Sequence, residues 1–308
     1  MKVCIAGVGG VGGTLAGVFG QEQSTELSLI AHGNRKDFLK KYGLFLHSDL
    51  YGELCIKARY VEENGSALPP QDMIFICVKN YSLSQICEQI SPCVDKETII
   101  IPVMNGIEAA DYLSERFPEN RIVDAVIYTI SSAEPDFSIR QNGWNSRLIV
   151  GTRFHDDRHI AAAKKVYEYV SGTGYHCSYS EDAYAEMWIK FIQNCGFNTI
   201  TTRYLTNAGE IRENETYKND LQSLFQETYN VALACGAKLP PDTVQQRMDF
   251  ITVQQVPSAT SSMRRDVEAG RKTEIDTFLG ALIRKAETHN IPVPVARKYY
   301  DEIKKMIL

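Results

Sequence analysis

The chain opens Met1-Lys2-Val3-Cys4-Ile5-Ala6-Gly7-Val8-Gly9-Gly10-Val11-Gly12, and the order of these residues decides the fold. Residues 3–6 form a short unbroken apolar run, the pattern of a strand buried on both faces. The run ends on Gly7-x-Gly9-x-x-Gly12, which leads directly into a helical pattern over 11–21. In such a strand–loop–helix, Gly7 permits a tight turn, Gly9 lets the backbone approach a pyrophosphate, and Gly12 lets helix and strand pack closely. The amides of Gly7-Val8-Gly9-Gly10-Val11-Gly12 at the helix start then face the ligand's negative charge. The alternative is a glycine turn that binds nothing. Placement between a strand and a helix at the N-terminus favours the dinucleotide site.

Working outward, apolar runs at 27–31, 73–78, 98–103 and 122–128 alternate with helical patterns at 36–41, 82–90, 108–117 and 161–170. This is the alternation of a parallel sheet covered by helices. Residues 44–47 and 53–58 flank Tyr51-Gly52 as an inserted hairpin, and 137–141 with 147–150 flank Asn142-Gly143 as another. A strand at 175–178 completes this half. After Ser180 the strand signal stops. Helical patterns cover 181–205, 216–235, 242–254, 259–269, 274–288 and 295–306, punctuated by Gly236, Pro240-Pro241, Pro257, Gly270, Pro292 and Pro294. The expected organisation is a dinucleotide-binding α/β domain over 1–175 and an all-helical domain over 180–308.

Composition narrows the function. At 308 residues, with 44% hydrophobic and 23% charged residues, the chain is an ordinary globular protein of two domains. A net charge of −5 offers no general attraction to nucleic acid or anionic lipid, so neither is expected as a partner. No long apolar run or leader pattern is visible, which points to a cytoplasmic protein. The eight cysteines include no Cys-x-x-Cys pair and read as reduced, mostly buried residues. His155 and His159 have metal-ligand spacing, but their hydrophilic surroundings read as a solvated loop and helix start, so no metal is expected.

Two further segments bear on chemistry. After the second strand the chain reads His32-Gly33-Asn34-Arg35, with no acid where an NAD site usually carries one for the ribose 2′-hydroxyl. His32 or Arg35 facing a 2′-phosphate favours NADP(H); the other reading is that Arg35 only starts a solvated helix. Farther on, Lys190, Asn194 and Asn198 recur every four residues in an otherwise apolar helix containing Trp188, Ile189, Phe191, Ile192 and Phe197. So narrow a stripe reads as the lining of a polar cleft, the alternative being a partly exposed face. Ser261-Ser262-Met263 and Lys272-Thr273-Glu274-Ile275-Asp276 alone read only as helix-start signals.

Together these residues resemble the ketopantoate reductase (2-dehydropantoate 2-reductase) family over essentially the whole chain. The resemblance rests on Gly7-x-Gly9-x-x-Gly12, Lys79 ending Phe75-Ile76-Cys77-Val78-Lys79, and Asn105-Gly106. It continues through Trp188-x-Lys190 with Asn194 and Asn198, Ser261-Ser262-Met263, and Thr273-Glu274-Ile275-Asp276 followed by Gly280. It implies a Rossmann-type parallel-sheet domain followed by an all-α domain of the 6-phosphogluconate dehydrogenase C-terminal type. It implies NADPH-dependent reduction of the small 2-oxo acid 2-dehydropantoate to pantoate for pantothenate synthesis, by a monomer or homodimer. In that reading Lys190 is the general acid and Glu274 its catalytic partner. Asn194, Asn198 and Ser262 position the substrate, and Lys79 and Asn105 contact the cofactor. The chain departs from the family pattern at His32, where an Arg is usual, at Glu108 for a glycine, and at Thr199 for a proline. Reduction of another small 2-oxo acid, opine-type dehydrogenation, and dinucleotide sensing without catalysis are the competing readings.

Overall fold

The computed structural model describes residues 1–307, which divide into two compact units. The first comprises Met1–Met104 and Glu108–Tyr184; the second comprises Asn105–Ile107 and the chain from Ala185 onward.

The first unit holds β1 (Lys2–Ala6), α1 (Gly10–Phe19), β2 (Glu26–Ile30), α2 (Gly33–Tyr42), β3 (Leu44–Ser48), β4 (Gly52–Ile56) and β5 (Tyr60–Glu62). It continues with β6 (Met73–Ile76), α3 (Leu83–Ile90), β7 (Ile99–Pro102), α4 (Ala109–Arg116), β8 (Arg121–Ile122), β9 (Asp124–Ala133), β10 (Ile139–Gly151), α5 (Asp157–Gly172) and β11 (Cys177–Tyr179). Six strands form an all-parallel sheet in the order β5-β2-β1-β6-β7-β8. Counting only these strands along the chain, the order is that of a doubly wound dinucleotide-binding sheet, with its reversal between β1 and β6. Val3, Cys4, Ile5 and Ala6 are fully buried, as are Met73–Ile76 of β6, so the apolar runs mark strands covered on both faces.

A second sheet runs β11-β10-β3-β4, with β9 antiparallel to β10. It packs against α1 through glycines. A Cβ built at Gly10 would lie 2.5 Å from the Ser131 carbonyl oxygen, at Gly13 2.4 Å from Ile139, and at Gly17 2.7 Å from Leu46. The glycine richness of α1 therefore serves two surfaces, the loop that precedes it and a close helix–sheet contact.

The hairpin expected around Asn142-Gly143 is instead one continuous strand, and the turn lies at residues 134–138, where Phe137 takes a φ of +68°. Asn142-Gly143 forms an irregularity inside β10, where the register shifts between Asn142 and Arg147. Gln141 Nε2 donates to the carbonyls of Asn142 and Gly143 at 2.8 Å, and the Gly143 N–H donates to Asp49 at 2.7 Å. Side chains thus satisfy the backbone that a turn would have left to water.

A buried charge cluster pins the end of β10 to the start of β9. Arg153 donates to Asp124 through its side chain at 2.9 Å and its backbone N–H at 2.8 Å, and to Asp111 at 2.7 Å. Asp124 is 1% exposed.

The second unit is helical: α6 (Ala183–Arg203, from its third residue), α7 (Ala208–Glu213), α8 (Glu215–Ala234), α9 (Thr243–Asp249), α10 (Ser262–Glu268), α11 (Ala281–Thr288) and α12 (Pro294–Met306). Single π-helical turns at Phe250–Gln254 and Asp276–Gly280 adjoin α9 and α11. The buried face of α6 carries Trp188, Phe191, Ile192 and Cys195, and Gly196 lets the Phe225 ring of α8 approach so closely that a Cβ there would stand 2.4 Å from it.

Glu227 of α8 joins α8 to α12. Its carboxylate accepts the N–H groups of Val295 and Ala296 at 2.8 Å each, satisfying donors at the α12 start. Burial holds its pKa above the usual value, against these two hydrogen bonds. Glu227→Ala is expected to cost about 2 kcal/mol of unfolding free energy, since both amides lose their acceptor. Urea denaturation measures this, and an unchanged midpoint would refute the cap. No helix among the described residues is long and apolar enough to cross a membrane.

Candidate active site

The glycine loop leaves the C-terminal end of β1. Gly7 has a φ of +99°, and a Cβ there would meet Val78 Cγ1 at 2.6 Å and the Cys77 oxygen at 2.9 Å. A Cβ at Gly12 would stand 2.0 Å from the Gly7 oxygen. Neither position accepts a side chain. Gly9 differs: no described atom lies within 4 Å of the point its Cβ would take, so the space above it is open. Gly9 is the N-cap of α1. The Gly10, Val11 and Gly12 amides thus begin a helix with neither a side-chain cap nor an acid in its own first turn. Val8 is buried beside them. Open space over Gly9 and an uncapped helix start fit a pyrophosphate. Lys79 follows β6 on the same, C-terminal, edge of the sheet.

At the end of β2 the two side chains expected near a 2′-phosphate have partners within the protein. His32 caps α2 in extended backbone, and its Nε2 lies 3.1 Å from Gln89 Oε1. The Arg35 guanidinium donates to the Phe137 carbonyl at 3.3 Å and lies 5.5 Å from the centre of the Phe137 ring. Burial lowers its pKa and Asp136 opposes that shift. The cation that the sequence reading set aside for a 2′-phosphate is held by the β9–β10 turn.

In the helical unit the narrow polar stripe of α6 has identifiable partners. Asn198, 5% exposed, uses its Oδ1 to accept from the Met263 N–H at 3.3 Å and from Ser262 Oγ at 3.5 Å. Its Nδ2 donates to Asn194 Oδ1 at 3.5 Å. Ser261 caps α10 by accepting the Arg264 N–H at 3.1 Å, and accepts from Thr201 Oγ1 at 2.7 Å. Of the two adjacent serines, Ser261 therefore holds the helix start and Ser262 faces the asparagines.

Glu274, 2% exposed, lies just before the π-helical turn at 276–280. Asn105 Nδ2 donates to Glu274 Oε2 at 3.5 Å, and a Cβ at Gly106 would stand 2.9 Å from Thr277 Cγ2. The Asn105-Gly106 pair therefore packs on the Glu274 segment. Asn105 was expected at the cofactor; its amide here meets the carboxylate. Burial lowers the Lys190 pKa from the usual 10.5 to about 8, and the charge of Glu274 pulls it back upward. Lys190, Asn194, Asn198, Ser262, Glu274 and Asn105 thus occupy one neighbourhood of the unit. Ser261, the first residue of the Ser261-Ser262-Met263 motif, and Thr201, which carries no motif but lies one turn beyond Asn198, brace it. An ammonium poised near neutrality, a buried carboxylate and several amides can deliver a proton to an oxygen gaining charge and orient a polar ligand. Among the described residues no cluster suited to a metal ion is present.

Two family models match. The one described as "Ketopantoate reductase PanE/ApbA" covers residues 3–153, and "Ketopantoate reductase PanE/ApbA C terminal" covers residues 182–306. The chain is 27% identical over 303 residues to the uncharacterized oxidoreductase YkpB of Bacillus subtilis (strain 168), covering 97% of each. It is 24% identical over 311 residues to the 2-dehydropantoate 2-reductase of Halobacterium salinarum, covering 99% of this chain and 98% of that protein. In fold it is similar to the ternary structure of D-mandelate dehydrogenase with NADH and anilino(oxo)acetate. The TM-score is 0.88 at 22% identity, over 100% of this chain and 98% of that one. The chain is an oxidoreductase belonging to the ketopantoate reductase family.

Proposed function

We propose that the chain reduces the C2 carbonyl of a small 2-oxo acid, 2-dehydropantoate, to the 2-hydroxy acid pantoate, using a nicotinamide dinucleotide. The observation that carries this reading is the Lys190–Glu274 pair beside Asn194, Asn198 and Ser262. The dinucleotide, held by the loop from Gly7 to Gly12 and by Lys79, would supply the hydride. Everything else falls to this chain's residues. As C2 gains hydrogen its oxygen gains negative charge, and Lys190 donates the proton that completes the alcohol. Glu274 keeps Lys190 charged closer to neutral pH than burial alone would allow, and contacts the substrate. Asn194, Asn198 and Ser262 orient its hydroxyl and carboxylate. NADP(H) is the dinucleotide that the family resemblance implies; the sequence case for it rested on His32 and Arg35.

A 2-oxo acid with a bulkier side chain is the second reading, favoured by the likeness to a D-mandelate dehydrogenase bound to anilino(oxo)acetate. Comparing kcat/KM across a panel of 2-oxo acids, each with NADH and NADPH, tests both. The highest value with 2-dehydropantoate supports the first reading. A higher value with an aromatic 2-oxo acid replaces it with the second.

A further inference from the structure

The adenosine end of the proposed dinucleotide site carries a carboxylate that no motif marks. β5 pairs in parallel with β2, placing Glu62 opposite Ile30, and the Ala31 N–H donates to the Glu62 carbonyl at 3.0 Å. Glu63 therefore leaves the sheet beside His32-Gly33. Its carboxylate accepts from Lys36 Nζ, one turn into α2, at 2.8 Å. The His32 ring and the Gly33 N–H also favour its charged form. The Glu63 side chain is 48% exposed, so a ligand can reach it.

In a sheet of this strand order the adenosine ribose lies at the end of β2. An acid there accepts from the 2′-hydroxyl, whereas a cation holds a 2′-phosphate. Three cationic or ionisable candidates stand near that point. His32 meets Gln89, Arg35 lies over Phe137, and Lys36 is paired with Glu63. A 2′-phosphate arriving here meets a carboxylate that already holds the Lys36 ammonium. A bare 2′-hydroxyl meets an acceptor.

We propose that Glu63, delivered from β5 rather than from the end of β2, sets the dinucleotide preference by accepting from the ribose of NADH and disfavouring the 2′-phosphate of NADPH. This rests on the glycine loop being the dinucleotide site, and it reverses the preference that the family resemblance implies.

The test is direct binding, without turnover. The whole protein is titrated with NADH and, separately, with NADPH by calorimetry, as wild type, Glu63→Gln and Glu62→Gln. Wild type is expected to bind NADH more tightly. Glu63→Gln is expected to move the affinity ratio toward NADPH by about tenfold, because a like charge is removed and Lys36 is released. Glu62→Gln removes an equal charge paired instead with Lys40 at 3.0 Å and should leave the ratio nearly unchanged. The wild-type discrimination should also shrink as salt is raised. Because the ratio compares two ligands on one protein, general damage to the fold cancels. Tighter NADPH binding by wild type, or an unmoved ratio in Glu63→Gln, overturns the proposal. Failure of wild type to bind either nucleotide overturns the dinucleotide site itself, and the proposal with it.

Discussion

Lys190→Met is expected to lower kcat by about 10²–10⁴-fold, the usual loss when a positioned general acid is removed. The loss should fall on kcat more than on KM, because the charged oxygen that Lys190 meets exists only beyond the ground state. Wild-type kcat should decline as pH rises through about 8, where Lys190 loses its proton, and this limb should vanish in the variant. Stability separates this loss from misfolding. The folded-state pKa lies below the usual 10.5, so between about 8 and 10.5 the unfolded chain holds the extra proton and stability rises with pH. Below that window the buried ammonium is a cost to the fold. Lys190→Met lifts this cost but leaves the buried Glu274 carboxylate without the charge beside it, so the variant's melting temperature is measured alongside kcat to show that it is folded. A folded variant keeping more than about a third of wild-type kcat would show that another group supplies the proton.

Asp124→Ala is expected to cost the first unit about 3–5 kcal/mol. The substitution strips Arg153 of its buried carboxylate partner, while the more exposed Asp111 stays beside it. Desolvating a guanidinium without its counter-charge is what makes the loss large; the intact pair itself need contribute little. Replacing both members with apolar residues, as Asp124→Leu with Arg153→Met, should recover much of the stability, because no uncompensated charge then remains. Chemical denaturation of the three proteins reads this directly. A single-variant loss below about 1 kcal/mol would mean that water replaces Asp124 around the guanidinium.

Much of the fold was legible because strong local signals agreed with the tertiary outcome. Val3–Ala6 and Gly7-x-Gly9-x-x-Gly12 specify a strand and a turn whose neighbours have nowhere else to go. The polar stripe of α6 was legible because Lys190, Asn194 and Asn198 interrupt an otherwise apolar surface. The failures have physical causes. Asn142-Gly143 has turn chemistry, but the adjacent Gln141 and the sequence-distant Asp49 satisfy its backbone. β5 is three residues with a half-polar pattern, too short for periodicity, and Glu63 went unnoticed with it. Ser261 and Ser262 differ only in direction: Ser261 turns to the nearby Arg264 N–H, and Ser262 to Asn198, which is far away in sequence. A local pattern leaves Arg35 between a 2′-phosphate contact and a solvated helix start, because the Phe137 ring it meets lies far along the chain. Side-chain direction across distant segments is the information that a local pattern lacks.

In the proposed reaction a hydride reaches C2 of a 2-oxo acid and Lys190 completes the alcohol. This is tested most directly by incubating the enzyme with 2-dehydropantoate and a reduced dinucleotide carrying deuterium at its transferring carbon. The product is then examined by mass spectrometry. The expected result is pantoate with a single deuterium at C2, formed by wild type and nearly abolished in Lys190→Met. Product lacking deuterium, or no product with either dinucleotide, would contradict it.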